Sequence, residues 1–364
     1  MTLLRTTILF LCLTIVGTAA PIEPQTKVTK VMVIQPEVTV KNRDGRKMPV
    51  SLGQILETTV RKKDWVWVPR LRGWAPTKDT IDLKDAVAYF TAAINNKRTS
   101  QAYHHRALAW VALERRSKAL TDFDEAIRIK PNAALHINRG NTYRDMENED
   151  AAVRDYNKAL QLEPRSYLAL NNRGLILSSQ AKYDQARLDF DAALRLKPDF
   201  AEALNHRGVV KWKQNKPEEA TKDYEAALKL ERGLAEPYYN LGLIAQAEEN
   251  DSKAIELYEK AIELDRSFVP ANNDLAWLLA TTPDESLRNP EKALKYATRA
   301  CALTKMKKAN MIDTLSAALA ADGQYDEAIR RIDQAIRIGD KEARPNMEVR
   351  KKLYLTKVPY IDRN

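Results

Sequence analysis

Histidines are the residues of this chain most able to do chemistry, because imidazole can bind a transition metal or act as a general base near neutral pH. Four are present, His104, His105, His136 and His206. No two of them stand three or four residues apart, the spacing that brings two ligands onto one helix face, and no cysteine accompanies them. We therefore predict no metal site and no catalysis by histidine.

The other reactive side chains follow no enzyme motif. The chain has no Gly-Lys-Ser/Thr phosphate loop and no Gly-x-Ser-x-Gly nucleophile elbow. The acidic run from Asp122 to Glu125 is interpreted as a solvated helix face rather than a catalytic carboxylate pair. Two cysteines, Cys12 and Cys301, are too few for a disulfide framework. These features predict a protein that is not an enzyme and uses no cofactor.

The elements that would position any site are indicated by a residue pattern that recurs at a constant interval along the chain. Each copy of the pattern has a glycine, then an alanine, an aromatic residue and a second alanine at fixed offsets, as in Gly140, Ala152, Tyr156 and Ala159. The four glycines are Gly140, Gly174, Gly208 and Gly242, and the four aromatic residues are Tyr156, Phe190, Tyr224 and Tyr258. Such spacing predicts pairs of amphipathic helices whose axes approach closely at the small residues.

These residues resemble the tetratricopeptide repeat (TPR) family, whose hairpins of about 34 residues carry Gly or Ala at position 8, Ala at 20, an aromatic residue at 24 and Ala at 27. Four units match this pattern fully and two flanking units match it less completely. The repeats are predicted at 100–132, 133–166, 167–200, 201–234, 235–268 and 309–342. The resemblance implies a mainly α fold, a TPR α-solenoid in which antiparallel helix pairs form a right-handed superhelix.

Three segments depart from the repeat. Residues 269–308 fit as an atypical repeat with a lengthened turn, because Ala276 and Ala293 are further apart than Gly140 and Ala152, the equivalent pair of a regular repeat. A loop is therefore expected to project between residues 281 and 290. Residues 82–99 are predicted to form a capping helix, or half repeat, and residues 343–364 a second capping helix and a tail, since the ends of a solenoid need covering.

Residues 27–81 differ in kind from the helical region. They contain β-prone runs, among them Val31–Ile34 and Trp65–Val68. The string Trp65-Val66-Trp67-Val68, followed by Gly73-Trp74, resembles the closing strands of a bacterial SH3-type domain. A small SH3-like β-barrel is therefore predicted before the solenoid.

The three tryptophans of that segment, Trp65, Trp67 and Trp74, have two interpretations. They are candidates for a ligand-binding surface, but a small sheet also needs large side chains for core and rim packing. The segment is basic, with 12 Lys and Arg against 5 Asp and Glu between residues 27 and 80, within a chain of net charge +10. This charge favours an anionic polymer, a lipid headgroup or an acidic protein as partner, unless it is only a solvated surface.

In the TPR family the first helices of the hairpins line a concave groove. Asparagine recurs here at position 6 of the repeat, and its amide both donates and accepts, so a ladder of asparagines could bond an extended peptide backbone; alternatively it only binds water. The resemblance implies a peptide-binding groove of Asn138, Asn141, Arg144, Asn171, Asn172, Asn205, His206, Trp212, Lys213, Tyr239, Asn240 and Asp274. The lysines and arginine with which one TPR subclass holds a C-terminal carboxylate are absent.

The first residues predict export. Arg5, the apolar run Thr6–Val16 and the small residues up to Ala19 are typical of a signal peptide at 1–19. The apolar run is too short to span a bilayer comfortably, although an uncleaved membrane anchor remains the alternative. The expected location is periplasmic or secreted, in a bacterial protein, and nucleic acid is not an expected partner.

Two functions follow. The first is a non-enzymatic scaffold that binds a protein or an extended peptide in the groove outside the cytoplasm. The alternative is a cell-envelope protein that binds peptidoglycan or an anionic polymer through the basic SH3-like domain, with the repeats as a spacer.

Overall fold

The computed structural model describes residues 29–35, 38–42, 47–58, 60–68 and 73–362. The predicted signal peptide, 1–19, lies outside the described residues. The chain divides into two compact units, Met1–Lys130 and Pro131–Asn364.

The described part of the first unit begins with short strands and ends with helices. The elements are β1 (Thr29–Val33), β2 (Val38–Asn42), β3 (Lys47–Val50), β4 (Ile55–Thr58), β5 (Val60–Lys62), β6 (Trp65–Val68), β7 (Gly73–Pro76), β8 (Thr80–Asp82), α1 (Leu83–Asn96), α2 (Ser100–Ala112) and α3 (Arg116–Ile129). The strands form two antiparallel sheets, in the orders β4-β1-β8 and β3-β2-β7-β6-β5. A β region before the helices, as predicted, is confirmed.

Strand β1 contributes to two cores because side chains alternate along a strand. Val31 and Val33 pack with the strand core, which includes Val66, Val68 and Ala75. Met32, between them, packs instead with Leu83 and Phe90 of α1 and Ala109 of α2. The sheet of β4, β1 and β8 therefore packs directly on the first two helices.

The turn at Gly53 admits no side chain. Its φ is +82°, in the left-handed region, and a Cβ there would lie 2.6 Å from His105 Cδ2. Both the backbone conformation and the close approach to α2 require glycine.

The second unit is entirely helical among its described residues. Successive helices pack as hairpins, and each hairpin packs on the next. The helices are α4 (Ala133–Arg144), α5 (Glu149–Leu162), α6 (Tyr167–Ser179), α7 (Tyr183–Leu196), α8 (Ala201–Lys213), α9 (Pro217–Leu230), α10 (Ala235–Ala247), α11 (Asp251–Leu264), α12 (Val269–Thr281), α13 (Pro290–Leu303), α14 (Ala309–Ala321), α15 (Tyr325–Ile338) and α16 (Arg344–Leu355). The predicted solenoid of antiparallel helix pairs is confirmed.

The turns within the hairpins share one backbone conformation. The fifteenth residue of each regular repeat adopts a positive φ, which stops the first helix and reverses the chain. In the second unit these residues are Glu147, Ala181, Asn215, Glu249 and Gly323. Some second helices then begin on an asparagine: the side chains of Asn148, Asn250 and Asn289 accept a hydrogen bond from an amide in the first turn.

The long turn between α12 and α13 is bonded at both ends. Thr282 Oγ1 donates to Asp251 Oδ2 on α11 at 2.6 Å, and the amide of Asn289 donates to the carbonyl of Leu279 at 3.0 Å. Residues 283–286 between these bonds are exposed. The loop expected to project is therefore held at its base against α11 and α12.

Candidate functional site

Polar side chains link the first helices of five consecutive hairpins, α4, α6, α8, α10 and α12. Asn172 Nδ2 donates to Asn141 Oδ1 at 2.8 Å, and Asn240 Nδ2 donates to Asn205 Oδ1 at 2.9 Å. His206 Nδ1 and Asn171 Oδ1 lie 2.9 Å apart, and the Tyr239 hydroxyl donates to Asp274 Oδ2 at 2.7 Å. Each bond joins one repeat to the next. We call these eight residues the inner ladder.

The inner ladder refines the sequence prediction of which groups could meet a ligand. Asn171 and Asn205 are only 4% and 7% exposed, so their side chains lie between repeats and do not line a pocket as expected. Asn141, Asn172, His206, Tyr239, Asn240 and Asp274 are half-buried, as is the predicted residue Asn138 on α4. Much of the hydrogen-bonding capacity predicted for a peptide backbone is used to hold the repeats in register.

Three further predicted groove residues lie at the ends of α4 and α8. Arg144 is half-buried and its guanidinium lies 3.3 Å from the Asp145 carboxylate, while Lys213 is exposed. Trp212 is half-buried and packs against the cluster that contains Tyr224 and Ile244. Arg144 and Lys213 thus place positive charge where a ligand could reach it.

His206 is a titratable group of the inner ladder whose pKa is lowered in the folded chain. Burial, with a smaller contribution from the positive charge of Arg144, lowers the pKa of His206 to about 4. The unfolded chain binds this proton near the ordinary histidine pKa of about 6.5. The unfolded state therefore binds more protons between these two values, and the fold loses stability as the pH falls through that window.

Between pH 7 and pH 4.5 we expect the wild-type chain to lose about 2 kcal/mol more unfolding free energy than a His206→Asn variant. Asparagine occupies the same repeat position in Asn172 and Asn240, so the variant keeps a partner for Asn171 but cannot titrate. Urea unfolding at both pH values, followed by circular dichroism, measures the difference. An identical pH response of the two proteins would contradict the prediction.

Four hairpins contain a buried ion pair that the sequence analysis missed. An arginine on the first helix bonds both oxygens of an aspartate 16 residues later, at 2.6–2.8 Å. The pairs are Arg106–Asp122, Arg139–Asp155, Arg173–Asp189 and Arg207–Asp223, and the aspartates are 3–6% exposed. The interpretation of Asp122 as part of a solvated face is therefore wrong, because its side chain points between the two helices of its hairpin. The recurrence of Arg and Asp at this spacing was a usable signal.

The histidines and the described cysteine serve the packing. His136 Nδ1 lies 2.9 Å from Asp155 Oδ1, and the rings of His104 and His105 stack 5.4 Å apart. Burial raises the pKa of the Cys301 thiol to about 11, which leaves it a poor nucleophile. Over the part of the chain that the structure describes, no group of three or more His, Cys, Asp or Glu residues could hold a metal ion.

The tryptophans of the first unit form a surface with two lysines. Trp65, Trp67 and Trp74 alternate along β6 and β7 with the core residues Val66, Val68 and Ala75, so they lie on the opposite face of the sheet. This placement favours the surface interpretation over the core one. Trp67 and Trp74 meet edge to face with ring centroids 5.2 Å apart.

A lysine ammonium group lies over each of two tryptophan rings on this face. Lys62 Nζ lies 5.0 Å from the Trp74 ring centroid and Lys41 Nζ lies 5.7 Å from that of Trp65. A shallow cavity of about 340 Å³ is lined by these four residues. We call Lys41, Lys62, Trp65 and Trp74 the Lys-Trp shelf.

Comparison with known proteins gives the same fold. Family models for the tetratricopeptide repeat match residues 133–166, 155–188 and 199–267. The crystal structure of yeast Tom70 is similar at 18% identity and a TM-score of 0.54, over 76% of this chain and 59% of that chain. A crystal structure of the APC/C hetero-tetramer Cut9–Hcn1 is similar at 14% identity and a TM-score of 0.61, over 75% of this chain and 53% of that one.

This chain therefore spans less than two thirds of either relative, and at these identities the similarities show the fold alone. A comparison with curated proteins finds no match.

Stacked helix hairpins with a polar face held in register define an α-helical repeat scaffold, a class of protein that acts by binding other proteins or peptides. Within that class the chain is a tetratricopeptide-repeat protein, since three models of that family match it and its hairpins recur at the constant interval set by Gly140, Gly174, Gly208 and Gly242. Among the described residues, no helix combines the length and apolar character needed to cross a membrane.

Proposed function

We propose that the second unit is a non-enzymatic scaffold that binds an extended segment of a partner protein along the inner ladder. The supporting observation is the set of four hydrogen bonds that join α4, α6, α8, α10 and α12. They hold five first helices in one register, so that groups at equivalent positions present a continuous surface. A preorganised surface loses little entropy when a partner segment is ordered on it.

The accessible charge of this surface favours an acidic partner segment. Arg144 and Lys213 both extend from the ends of first helices, and Lys213 is exposed. Charges at the rim of an interface act mainly on association rate and partner choice. The proposal places binding outside the cytoplasm, in keeping with the signal peptide predicted from the sequence.

The test removes the accessible charge and leaves the inner ladder intact. The full chain and an Arg144→Ser/Lys213→Ser variant are used to capture partners that have been crosslinked in the native envelope and identified by mass spectrometry. We expect recovery of the same partner to fall at least fivefold in the variant, because its acidic segment loses two cationic contacts.

The matched control, Arg195→Ser/Lys229→Ser, removes the same charges from exposed positions near the ends of α7 and α9. Capture that falls equally in both variants would contradict binding at the groove. An Asn172→Ala/Asn240→Ala variant should weaken capture as well, but it also removes two bonds between repeats, at about 1 kcal/mol each. Its thermal unfolding is therefore compared with that of the wild type.

A second function is favoured by the Lys-Trp shelf. We infer that the first unit, as an SH3-like domain, binds an anionic polymer of the cell envelope there, with the repeats as a spacer. Two indole faces offer stacking surfaces for sugar rings, and the two ammonium groups above them offer charge to acidic substituents.

Replacing Lys41 and Lys62 with serine is expected to weaken co-sedimentation of the full chain with purified acidic envelope polymer about tenfold at low salt. The loss should shrink as sodium chloride is raised, since exposed charges are screened. Lys84→Ser/Lys97→Ser, at exposed positions of the same unit, is the control. Wild-type binding that does not respond to salt would argue against an electrostatic origin.

A further inference from the structure

The chain returns onto its own inner face after α16. Lys357 has a φ of +56°, and the amide of Val358 donates to the carbonyl of Leu353 at 3.0 Å, which together turn the chain back. The following residues lie against α12. We call residues 356–362 the return segment.

The return segment makes both backbone and side-chain contacts with α12. The amide of Asp362 donates to the carbonyl of Thr281 at 2.7 Å. The indole Nε1 of Trp277 donates to Asp362 Oδ2 at 3.0 Å, and the rings of Trp277 and Tyr360 lie 5.8 Å apart. An aromatic ring and a carboxylate two residues apart are thus recognised by one tryptophan.

A buried arginine completes this recognition. The guanidinium of Arg350 lies 5.3 Å from the Trp277 ring centroid and 5.4 Å from that of Tyr360. Its Nε donates to Asp313 Oδ1 on α14 at 3.0 Å, which fixes its position. A guanidinium that contacts both aromatic rings and is paired with a carboxylate on another helix is a rigid binding element.

The contacts on α12 fall at repeat positions that carry predicted groove residues in other repeats. Trp277 and Thr281 are the ninth and thirteenth residues of their repeat, the positions that Asn141 and Lys213 occupy in theirs. Asp274, the last member of the inner ladder, lies one turn before Trp277 on α12. The return segment therefore covers the part of the inner face where the ladder ends.

A cleft borders Trp277 and Asp362. Its volume is about 770 Å³, and its lining includes Gln246, Asn250, Asp251, Thr282 and Leu287 beside Trp277 and Asp362. Thr282 and Leu287 belong to the long turn between α12 and α13, so the extra residues of this turn build one wall.

We propose that the return segment is a built-in ligand: it occupies the α12 end of the inner face and must leave before a partner segment of the same pattern can bind there. That pattern is an aromatic residue two positions before a carboxylate. The competition with a partner rests on the function proposed above, whereas recognition of this pattern by Trp277 and Arg350 does not.

The test keeps the full chain and opens the surface with two substitutions, Tyr360→Ala/Asp362→Ala. The probe is a fluorescein-labelled synthetic peptide with the sequence of residues 356–362, and its binding is followed by fluorescence anisotropy. We expect the peptide to bind the opened chain at least tenfold more tightly than the wild type, whose own segment competes. Adding Trp277→Leu to the opened chain should abolish that gain.

Two controls accompany this experiment. Thermal unfolding by circular dichroism must show that the opened chain is folded. The variant Tyr360→Phe/Asp362→Glu, which keeps the ring and the carboxylate, should bind the peptide as weakly as the wild type does. Equal peptide binding by the wild-type and opened chains would overturn the proposal. A wild-type dimer that dissociates on opening, seen by light scattering, would also overturn it, because the segment would then be exchanged between two copies.

The two proposals fail separately. Unchanged partner capture by the Arg144→Ser/Lys213→Ser variant, together with peptide binding to the opened chain, would remove the groove function and leave the return segment as a ligand of α12. Loss of partner capture by that variant, without peptide binding to the opened chain, would refute only the proposal that the return segment is a built-in ligand.

Discussion

Replacing Asp189 with leucine is expected to lower the unfolding free energy of the array by about 3 kcal/mol. Asp189 is 6% exposed and accepts two bonds from Arg173, at 2.7 and 2.6 Å. Its loss leaves a largely desolvated guanidinium with only Asn157 Oδ1, at 2.7 Å, among its described bonds. Urea unfolding followed by circular dichroism measures the effect.

The chain itself provides the control for this experiment. In the hairpin of α10 and α11, Leu241 and Leu257 occupy the positions that Arg173 and Asp189 occupy in theirs, and both are partly buried in apolar clusters. The double variant Arg173→Leu/Asp189→Leu is therefore expected to regain most of the lost stability, because no buried charge remains unpaired. A double variant as unstable as Asp189→Leu alone would show that the pair itself, rather than the orphaned arginine, determines the cost.

Replacing Gly208 with valine is expected to cost about 2–3 kcal/mol. A Cβ at Gly208 would lie 2.5 Å from Cε1 and 2.9 Å from Cδ1 of Tyr224, which is fully packed at 1% exposure. The ring cannot move without displacing its neighbours in a close-packed interior. The gain in helix propensity over glycine, a few tenths of a kcal/mol, offsets little of this.

Gly233→Val is the matched control, because nothing lies within 4 Å of a Cβ at that position. Thermal unfolding of the two variants should separate them clearly, with only Gly208→Val destabilised. If both variants melted like the wild type, the contact between Gly208 and Tyr224 would not limit the approach of α8 and α9.

The pattern of small and aromatic residues made the hairpins predictable, because helices and their turns depend on neighbours close in sequence. Gly208 and Tyr224 illustrate this: their spacing alone predicts that the two helices cross closely. The Arg173–Asp189 pair carries a similar spacing signal, but a charged residue on a helix is usually solvated, so composition argued against its burial. Only the recurrence of Arg and Asp sixteen residues apart in four hairpins distinguished these aspartates from the exposed acids beside them.

The candidate site was predictable only in outline. The register of the repeat placed Asn172, Asn240 and Asp274 on the face of the first helices, where the structure bonds each of them to a residue of the neighbouring repeat. It also uses them to join repeats, which no property of a single repeat reveals. The contacts that Trp277 and Arg350 make with the return segment could not be foreseen, since that segment has no periodic pattern.

The sequence by itself determined that this chain forms helix hairpins of regular length after a β region, and it identified the repeat family. Those properties follow from local periodicity, from turns and from small residues at fixed spacing. Only the tertiary structure decided which polar side chains bond the next repeat, which face of the sheet carries the tryptophans, and where the return segment lies. Each of these depends on which distant segments meet, and the free energy of such contacts comes from burial and pairing that a local pattern does not encode.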